Sequence, residues 1–362
     1  MKKINVGILF GGKSAEHEVS IQSARNIFKA LDKNKYQSLL IGIDKNGRWL
    51  FYDQASFLLH SEQVSLRKFS KAVKEIALVP QSQGKILNVS GLASKKSIDV
   101  VFPILHGPFG EDGTIQGLLK LANVPFVGAG VLSSAVGMDK DIMKRLWREA
   151  GLPICKFLVF KNKESINYKQ VVKNLGLPFF VKPANLGSSV GISKVSNQSQ
   201  FTKAVKIAWQ YDNKIIIEEN ITGREIECAI LGNEDLKASV PGEVKPSHDF
   251  YSYEAKYIDE HGATLIIPAK LSKNVIKKIQ DLSVKAFKVL DTEGLGRVDL
   301  FLKNNGEIVL NEINTMPGFT VISMYARLWQ ASGLSYDKLI DNLIQLAISR
   351  FKKEQKLKTT YL

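Results

Sequence analysis

Ile4–Phe10 is an uninterrupted apolar run that stops at Gly11-Gly12, the pattern of a strand buried on both faces. Val19–Leu31 changes to a helical period. Tyr36–Ile43 returns to a strand, ending in the turn signal Asp44-Lys45-Asn46-Gly47. Asp99–Leu105 predicts a third, parallel-type strand that ends at His106-Gly107, with a helix from about Gly113 to Ala122 behind it. Strands alternating with helices predict an open α/β sheet, which takes ligands at the carboxyl ends of its strands. Residues 50–98 have mixed character and read as an elaboration of this first unit.

A second unit opens near Ala129. It predicts a helix over Asp139–Ala150, strands over Phe157–Phe160 and Pro178–Lys182, a helix over Phe201–Trp209 and a strand over Lys214–Glu218. From Asn220 onward, strands are expected at 224–231, 236–240 and 264–267, then a helix at 273–290. Two strand-like runs follow, Arg297–Leu302 and Glu307–Ile313, either side of the turn Lys303-Asn304-Asn305-Gly306, and two helices close the chain. In a strand, residues two apart face the same side, so Glu312 and Asn314 project together and a hairpin brings Asp299 alongside them. Two carboxylates and a carboxamide are hard oxygen donors, suited to Mg2+ held jointly with phosphate oxygens. A lone acid pair would read as a solvated hairpin. Apolar Leu310 and Ile313 and the Thr-Met-Pro-Gly turn that follows favour a metal–nucleotide site.

At 362 residues the chain is too long for one ordinary core, so two or three domains are expected. The formal charge of +15 admits nucleic acid, a membrane surface or an anionic substrate. The basic residues are dispersed, however, and no aromatic run is interleaved with them as a nucleic-acid stacking surface requires. Attraction of small anions such as nucleotides is the reading that survives. Cys155 and Cys228 lack metal-ligand spacing and read as reduced core residues. The apolar run after Met1-Lys2-Lys3 is too short for a signal peptide, and no stretch approaches a membrane span. A cytoplasmic protein without nucleic-acid or membrane partners is expected.

Several loops carry candidate chemistry. Lys182–Gly191, rich in glycine and serine, lets backbone N–H groups approach phosphate, with Lys182 as a point charge, although it is not a P-loop. Ile215-Ile216-Ile217-Glu218-Glu219 ends a strand in two acids, either a hinge that reads adenine or a strand emerging into solvent. Gly11–Ser20 places Glu16 at the mouth of a helix, where it suits a substrate ammonium or simply the helix dipole. His106–Thr114 lies at the same sheet edge, and Asp112 there suits a helix cap. The segment 245–262, with Tyr251, Tyr253, Lys256 and Tyr257, has the length and composition of a lid.

Six motifs in order, running from residue 4 to about 350, resemble the D-alanine:D-alanine ligase family of the ATP-grasp superfamily. They are Gly11-Gly12-x-Ser14-Ala15-Glu16-x-Glu18-Val19-Ser20, His106-Gly107-x-x-Gly110-Glu111-Asp112-Gly113, Met138-Asp139-Lys140, Val181-Lys182-Pro183 with Gly187-Ser188-Ser189-Val190-Gly191, Tyr253–Tyr257, and Asn311–Gly318. The resemblance implies an ATP-grasp fold of three α/β domains. These are an N-terminal substrate-binding domain with an open parallel sheet (1–128), a central subdomain (129–219), and a C-terminal subdomain with the metal site and lid (220–362). It implies joining of two D-alanines at the expense of ATP through an acylphosphate, for peptidoglycan synthesis, and a homodimer.

It also implies residue roles. Lys140, Lys182, Gly187, Ser188, Ser189 and Lys256 would meet the ATP phosphates, Glu218 the adenine amine and Glu225 the ribose. Asp299, Glu312 and Asn314 would hold two Mg2+ ions, with Mn2+ as a possible substitute. Glu16 would take the first ammonium near His106, and Ser188 and Tyr257 would join Glu16 in closing the lid. Arg297 and the Gly318 backbone would stabilise the oxyanion. Ser323 and Met324 would receive the second carboxylate, Met324 standing where leucine is common. Tyr257 is the residue expected of dipeptide-forming members. Three other readings are a basic nucleic-acid binder, which leaves the metal hairpin idle, a non-catalytic nucleotide sensor, and an ATP-grasp ligase with another second substrate.

Overall fold

The computed structural model describes residues 2–52, 74–88, 93–162, 166–246 and 263–358. The first sheet contains β1 (Ile4–Gly11), β2 (Tyr36–Ile43), β3 (Trp49–Tyr52), β4 (Lys74–Leu78), β5 (Lys85–Asn88), β6 (Ala93–Ser97) and β7 (Val100–Pro103), in the order β6-β5-β4-β3-β2-β1-β7. α1 (His17–Ala30) joins β1 to β2, which run parallel, and β7 is parallel to β1 on its other side. The sheet is parallel only in this part. A short turn over Asp44–Arg48 leads from β2 to β3, too tight for the crossover a parallel pair needs, so β3 to β6 continue antiparallel. That extension is the structure of the described part of residues 50–98.

Three helices follow: α2 (Thr114–Leu121), α3 (Val131–Met138) and α4 (Lys140–Glu149). Asp139 caps α4, its carboxylate accepting from the N–H groups of Asp141 at 3.1 Å and Ile142 at 3.2 Å. Such a cap contributes about 1 kcal/mol. α4 buries Met143 and Trp147, and Trp147 Nε1 donates to Ala286 O at 3.0 Å. The second sheet is antiparallel, built from β8 (Phe157–Phe160), β9 (Phe179–Pro183), β10 (Ser193–Val195) and β11 (Ile215–Glu219) in the order β10-β9-β11-β8. α5 (Tyr168–Leu175) and α6 (Gln198–Ala208) pack on it through Val171, Phe201 and Ala204.

The third sheet holds β12 (Gly223–Gly232), β13 (Lys237–Ala238), β14 (Gly242–Pro246) and β15 (Ala263–Ile266). It is completed by β16 (Gly294–Lys303) and β17 (Ile308–Asn314), in the order β15-β14-β12-β16-β17, with β13 beside β12. α7 (Lys273–Val289) covers it, and α8 (Met324–Ala331) and α9 (Tyr336–Glu354) end the described chain. One apolar cluster joins the first and third sheets. Phe102 meets Phe319 edge-on at 5.6 Å between centroids, and Phe319 lies 5.5 Å from Tyr325. From α9, buried Arg350 donates to Gly128 O at 2.6 Å and Phe126 O at 2.9 Å. These contacts fix the carboxyl edge of the first sheet against the turn after β17. Among the described residues, no helix is long and apolar enough to cross a membrane.

Candidate active site

Two cavities meet where the sheets converge, one of about 830 Å³ and one of about 620 Å³. Glu16, His106, Glu111, Gly318, Ser323 and Met324 line the first; Lys182, Ser189, Glu218, Glu225 and Asp299 line the second. Lys140, Gly187, Ser188, Glu227, Val244, Arg297 and Glu312 border both. Lys256 and Tyr257, with the rest of the expected lid over 247–262, lie outside the described residues.

The first cavity is built on the ends of β1 and β7, as a parallel sheet edge dictates. Glu16 is buried just ahead of α1, and its N–H donates to Ser14 Oγ at 3.0 Å. Gly107 has φ of +75°, and a Cβ there would come within 2.9 Å of Ser14 Oγ and 3.3 Å of Glu16 Oε2. Only glycine lets the two loops approach in this way. His106 is buried, its Nδ1 3.0 Å from Met316 O and its Nε2 3.5 Å from Ser23 Oγ. Burial pulls its pKa down, which leaves a neutral imidazole whose Nδ1–H reaches Met316 O.

Glu111 belongs to the His106 motif, but the sequence assigns it no role. Its Oε2 accepts from Gly107 N at 2.5 Å, while Met316 donates its N–H to Asn314 Oδ1 at 3.0 Å and accepts from His106 Nδ1 through its carbonyl. Burial, then the charge of Glu16, pushes Glu111 up to about 8. Asp112 serves the backbone, accepting from Phe109 N at 2.8 Å and Thr114 N at 3.0 Å. Beyond β17, Ser323 Oγ accepts from Thr320 N at 3.0 Å and lies 2.7 Å from Thr320 Oγ1. A Cβ on Gly318 would meet Ser323 Oγ at 2.9 Å, so this turn is compact only with glycine. Met324 is buried at the start of α8 against Gly242.

The second cavity lies between the second and third sheets. Lys182, on β9, and Glu218, on β11, are cross-strand neighbours with Nζ to Oε2 at 2.6 Å. Lys144, one turn along α4 from Lys140, reaches the other Glu218 oxygen at 3.2 Å, Asn311 O at 2.9 Å and Cys155 Sγ at 3.5 Å. Burial opposes the Glu218 charge, but Lys144 and Lys182 outweigh it and hold the carboxyl at about 2. The i, i+4 spacing from Lys140 was the signal that could have found Lys144 in the sequence. Lys140 Nζ donates to Leu186 O at 2.6 Å and lies 3.8 Å from Glu312 Oε2. Burial pulls Lys140 down and Glu312 partly opposes it. The loop between β9 and β10 places Ser188 and Ser189 at φ of 55° and 60°, a left-handed conformation uncommon for serine and frequent where backbone N–H groups converge on a ligand.

The hairpin forms as its alternation predicts. Asp299 faces Glu312 across β16 and β17, Arg297 faces Asn314, and a register shift after Asp299 leaves Asn311 without an opposite number. Arg297 forks onto Asp299, Nε to Oδ1 and Nη2 to Oδ2 both at 2.7 Å, and its Nε lies 2.9 Å from Glu227 Oε2. Burial opposes this cation, yet Asp299 and Glu227 raise it well above the usual guanidinium value. The hard oxygens of Asp299, Glu312 and Asn314 fit Mg2+. Among the described residues no three acid, histidine or cysteine side chains converge as a complete metal cage, so ions held here would draw further oxygens from a nucleotide. Glu227 is the second functional candidate the sequence reading missed. It lies two residues after Glu225 on the same face of β12.

Two family models match this chain, D-ala D-ala ligase N-terminus over residues 5–129 and D-ala D-ala ligase C-terminus over residues 146–345. The D-alanine–D-alanine ligase of Oceanobacillus iheyensis is 55% identical, with 99% of each chain covered. The D-alanine–D-alanine ligase A of Escherichia coli K12 is 48% identical over 99% of this chain and 100% of its own. Among solved structures, the D-alanine-D-alanine ligase of Coxiella burnetii superposes with a TM-score of 0.87 at 42% identity, covering 98% of this chain and 97% of that one. The VanG D-Ala:D-Ser ligase of Enterococcus faecalis superposes with a TM-score of 0.86 at 36% identity, covering 96% and 100%. With both of its halves matched and its three sheets reproduced in those structures, the chain belongs to the D-alanine:D-alanine ligase family and has the ATP-grasp fold.

Proposed function

We propose that this protein joins two D-alanines into D-alanyl-D-alanine for peptidoglycan synthesis, consuming ATP and releasing ADP and phosphate. The observation that carries the reading is the shared border of the two cavities: a lysine, a glycine–serine loop, an arginine and a metal-type carboxylate stand between a space lined by lysines and acids and a space holding Glu16, His106 and Ser323. Phosphoryl transfer from one space to the other needs those groups at that border.

In this reading ATP occupies the second cavity. Glu225 meets the ribose and Lys140, Lys182, Ser188, Ser189 and the Gly187 backbone meet the phosphates, with Lys256 added from the lid. Glu218 is committed on both oxygens to lysines, so it meets the adenine amine with its remaining lone pairs. Asp299, Glu312 and Asn314 hold two Mg2+ ions, which neutralise phosphate charge when bound. Glu16 takes the ammonium of the first D-alanine, and neutral His106 lies beside it. The carboxylate of that D-alanine attacks the γ-phosphorus and expels ADP. The resulting acylphosphate is attacked by the amine of the second D-alanine, whose carboxylate lies by Ser323 and Met324. Arg297 and the Gly318 N–H stabilise the tetrahedral oxyanion, phosphate leaves, and exclusion of water by Ser188 and Tyr257 protects the intermediate.

The neighbouring D-Ala:D-Ser ligase structure makes the second substrate the point to test. The experiment is phosphate release from ATP with D-alanine alone and with D-serine or D-lactate in competition, the products identified by mass. D-alanyl-D-alanine is expected as the main product. Predominance of a mixed dipeptide or ester would assign the second site to another acceptor. We further propose a cytoplasmic homodimer divided as 1–128, 129–219 and 220–362. Sedimentation at twice the 40.3 kDa chain mass is expected, and a monomer at working concentration removes the dimer.

A further inference from the structure

Arg297 meets two carboxylates along one edge of its guanidinium. Its fork rests on Asp299 while its Nε edge also meets Glu227, and the three side chains are only 12–17% exposed. Strand register makes this arrangement. Glu227 faces Asp299 across β12 and β16, and Asp299 faces Glu312 across β16 and β17, so three carboxylates stand in one row with Arg297 one pleat away.

Asp299 is thereby asked to do two things. Both of its oxygens serve the Arg297 fork, and in the ligase reading it is also a metal donor. A guanidinium held by Asp299 alone would compete with the metal ion for that carboxylate. Losing the competition would leave a buried cation unpaired, at a cost of several kcal/mol. Glu227 removes the conflict, because its Oε2 lies 2.9 Å from Arg297 Nε and keeps the cation paired when Asp299 turns to the metal.

We infer that Glu227 is a positioning residue for Arg297: it retains the guanidinium at the border of the two cavities and so releases Asp299 to bind metal. The inference rests on the ligase reading for the roles of Asp299 and Arg297. Its consequence is that metal affinity and arginine placement are coupled through one carboxylate that is not itself a ligand.

The test is a double-variant cycle read by Mn2+ binding in the presence of ADP and the absence of D-alanine, with free Mn2+ followed by electron paramagnetic resonance. Glu227→Gln is expected to weaken Mn2+ binding on the order of tenfold, the scale found when a partner of a metal ligand is removed. In an Arg297→Met background the same change is expected to stay within about twofold, the scatter of such a cycle, because its partner is gone. Equal weakening in both backgrounds overturns the inference, because Glu227 would then act on the metal directly. No weakening in either overturns it as well. Should a variant fail to fold, Glu227→Asp and Arg297→Lys supply the same cycle, with a shortened carboxylate and a cation without the fork. Because the readout needs no D-alanine, a flat cycle beside normal dipeptide synthesis removes only the role of Glu227. Absent dipeptide synthesis beside a coupled cycle removes only the ligase reading.

Discussion

At the scale of single residues, the buried charges of the site differ in how they are compensated. Glu218 has two lysines and Arg297 two carboxylates, so each stays ionised in a place that would otherwise neutralise it. Glu111 has backbone donors and a nearby Glu16 charge, and it keeps its proton instead. The unfolded chain releases that proton near the ordinary carboxylate value of 4.5 and the fold retains it to about 8. The folded state thus binds more protons across that window, and stability falls as pH rises through it, then levels off. Each unit of separation corresponds to about 1.4 kcal/mol. Urea unfolding of Glu111→Gln, which cannot titrate, should show a shallower loss of stability between pH 5 and pH 8.5 than the unaltered protein. Superimposable pH curves would show that Glu111 titrates normally.

At the scale of elements, the β16–β17 hairpin was legible because alternation in β16 is strict: Val298, Leu300 and Leu302 point one way and Arg297, Asp299 and Phe301 the other. Buried β1 and β2 were legible as continuous apolar runs, and the long helix α7 from its length and helical period. α3 and α5 went unread, and β14 hides among polar residues at a cavity wall. Lys144 and Glu227 escaped because each sits beside a motif residue, one helical turn or one pleat away, and no motif marks it. Such placement becomes visible only when helix and sheet are assembled. The hairpin itself predicts that Glu312→Gln folds like the unaltered protein yet loses at least two orders of magnitude in kcat, because the carboxylate charge that would hold Mg2+ during phosphoryl transfer disappears. Steady-state rates at saturating Mg2+ check this. Unaltered turnover in a well-folded variant would take Glu312 out of the phosphoryl path.

At the scale of the whole molecule, function depends on parts brought from three sheets. In the proposed mechanism Glu16 and His106 come from the first, the lysines and the glycine–serine loop from α4 and the second, and Asp299, Glu312, Asn314 and Arg297 from the third. Phe319, Tyr325 and Arg350 lock the first to the third, so the border between the cavities is set by core packing. That border is the central claim: phosphate crosses it onto a carboxylate oxygen of D-alanine, and that oxygen leaves with the phosphate when the amide forms. The direct measurement uses D-alanine labelled with 18O in its carboxylate, with ATP and Mg2+ in unlabelled water, and mass analysis of both products. The account predicts one 18O in each phosphate released for each D-alanyl-D-alanine formed. Unlabelled phosphate, or phosphate released without dipeptide, would contradict it.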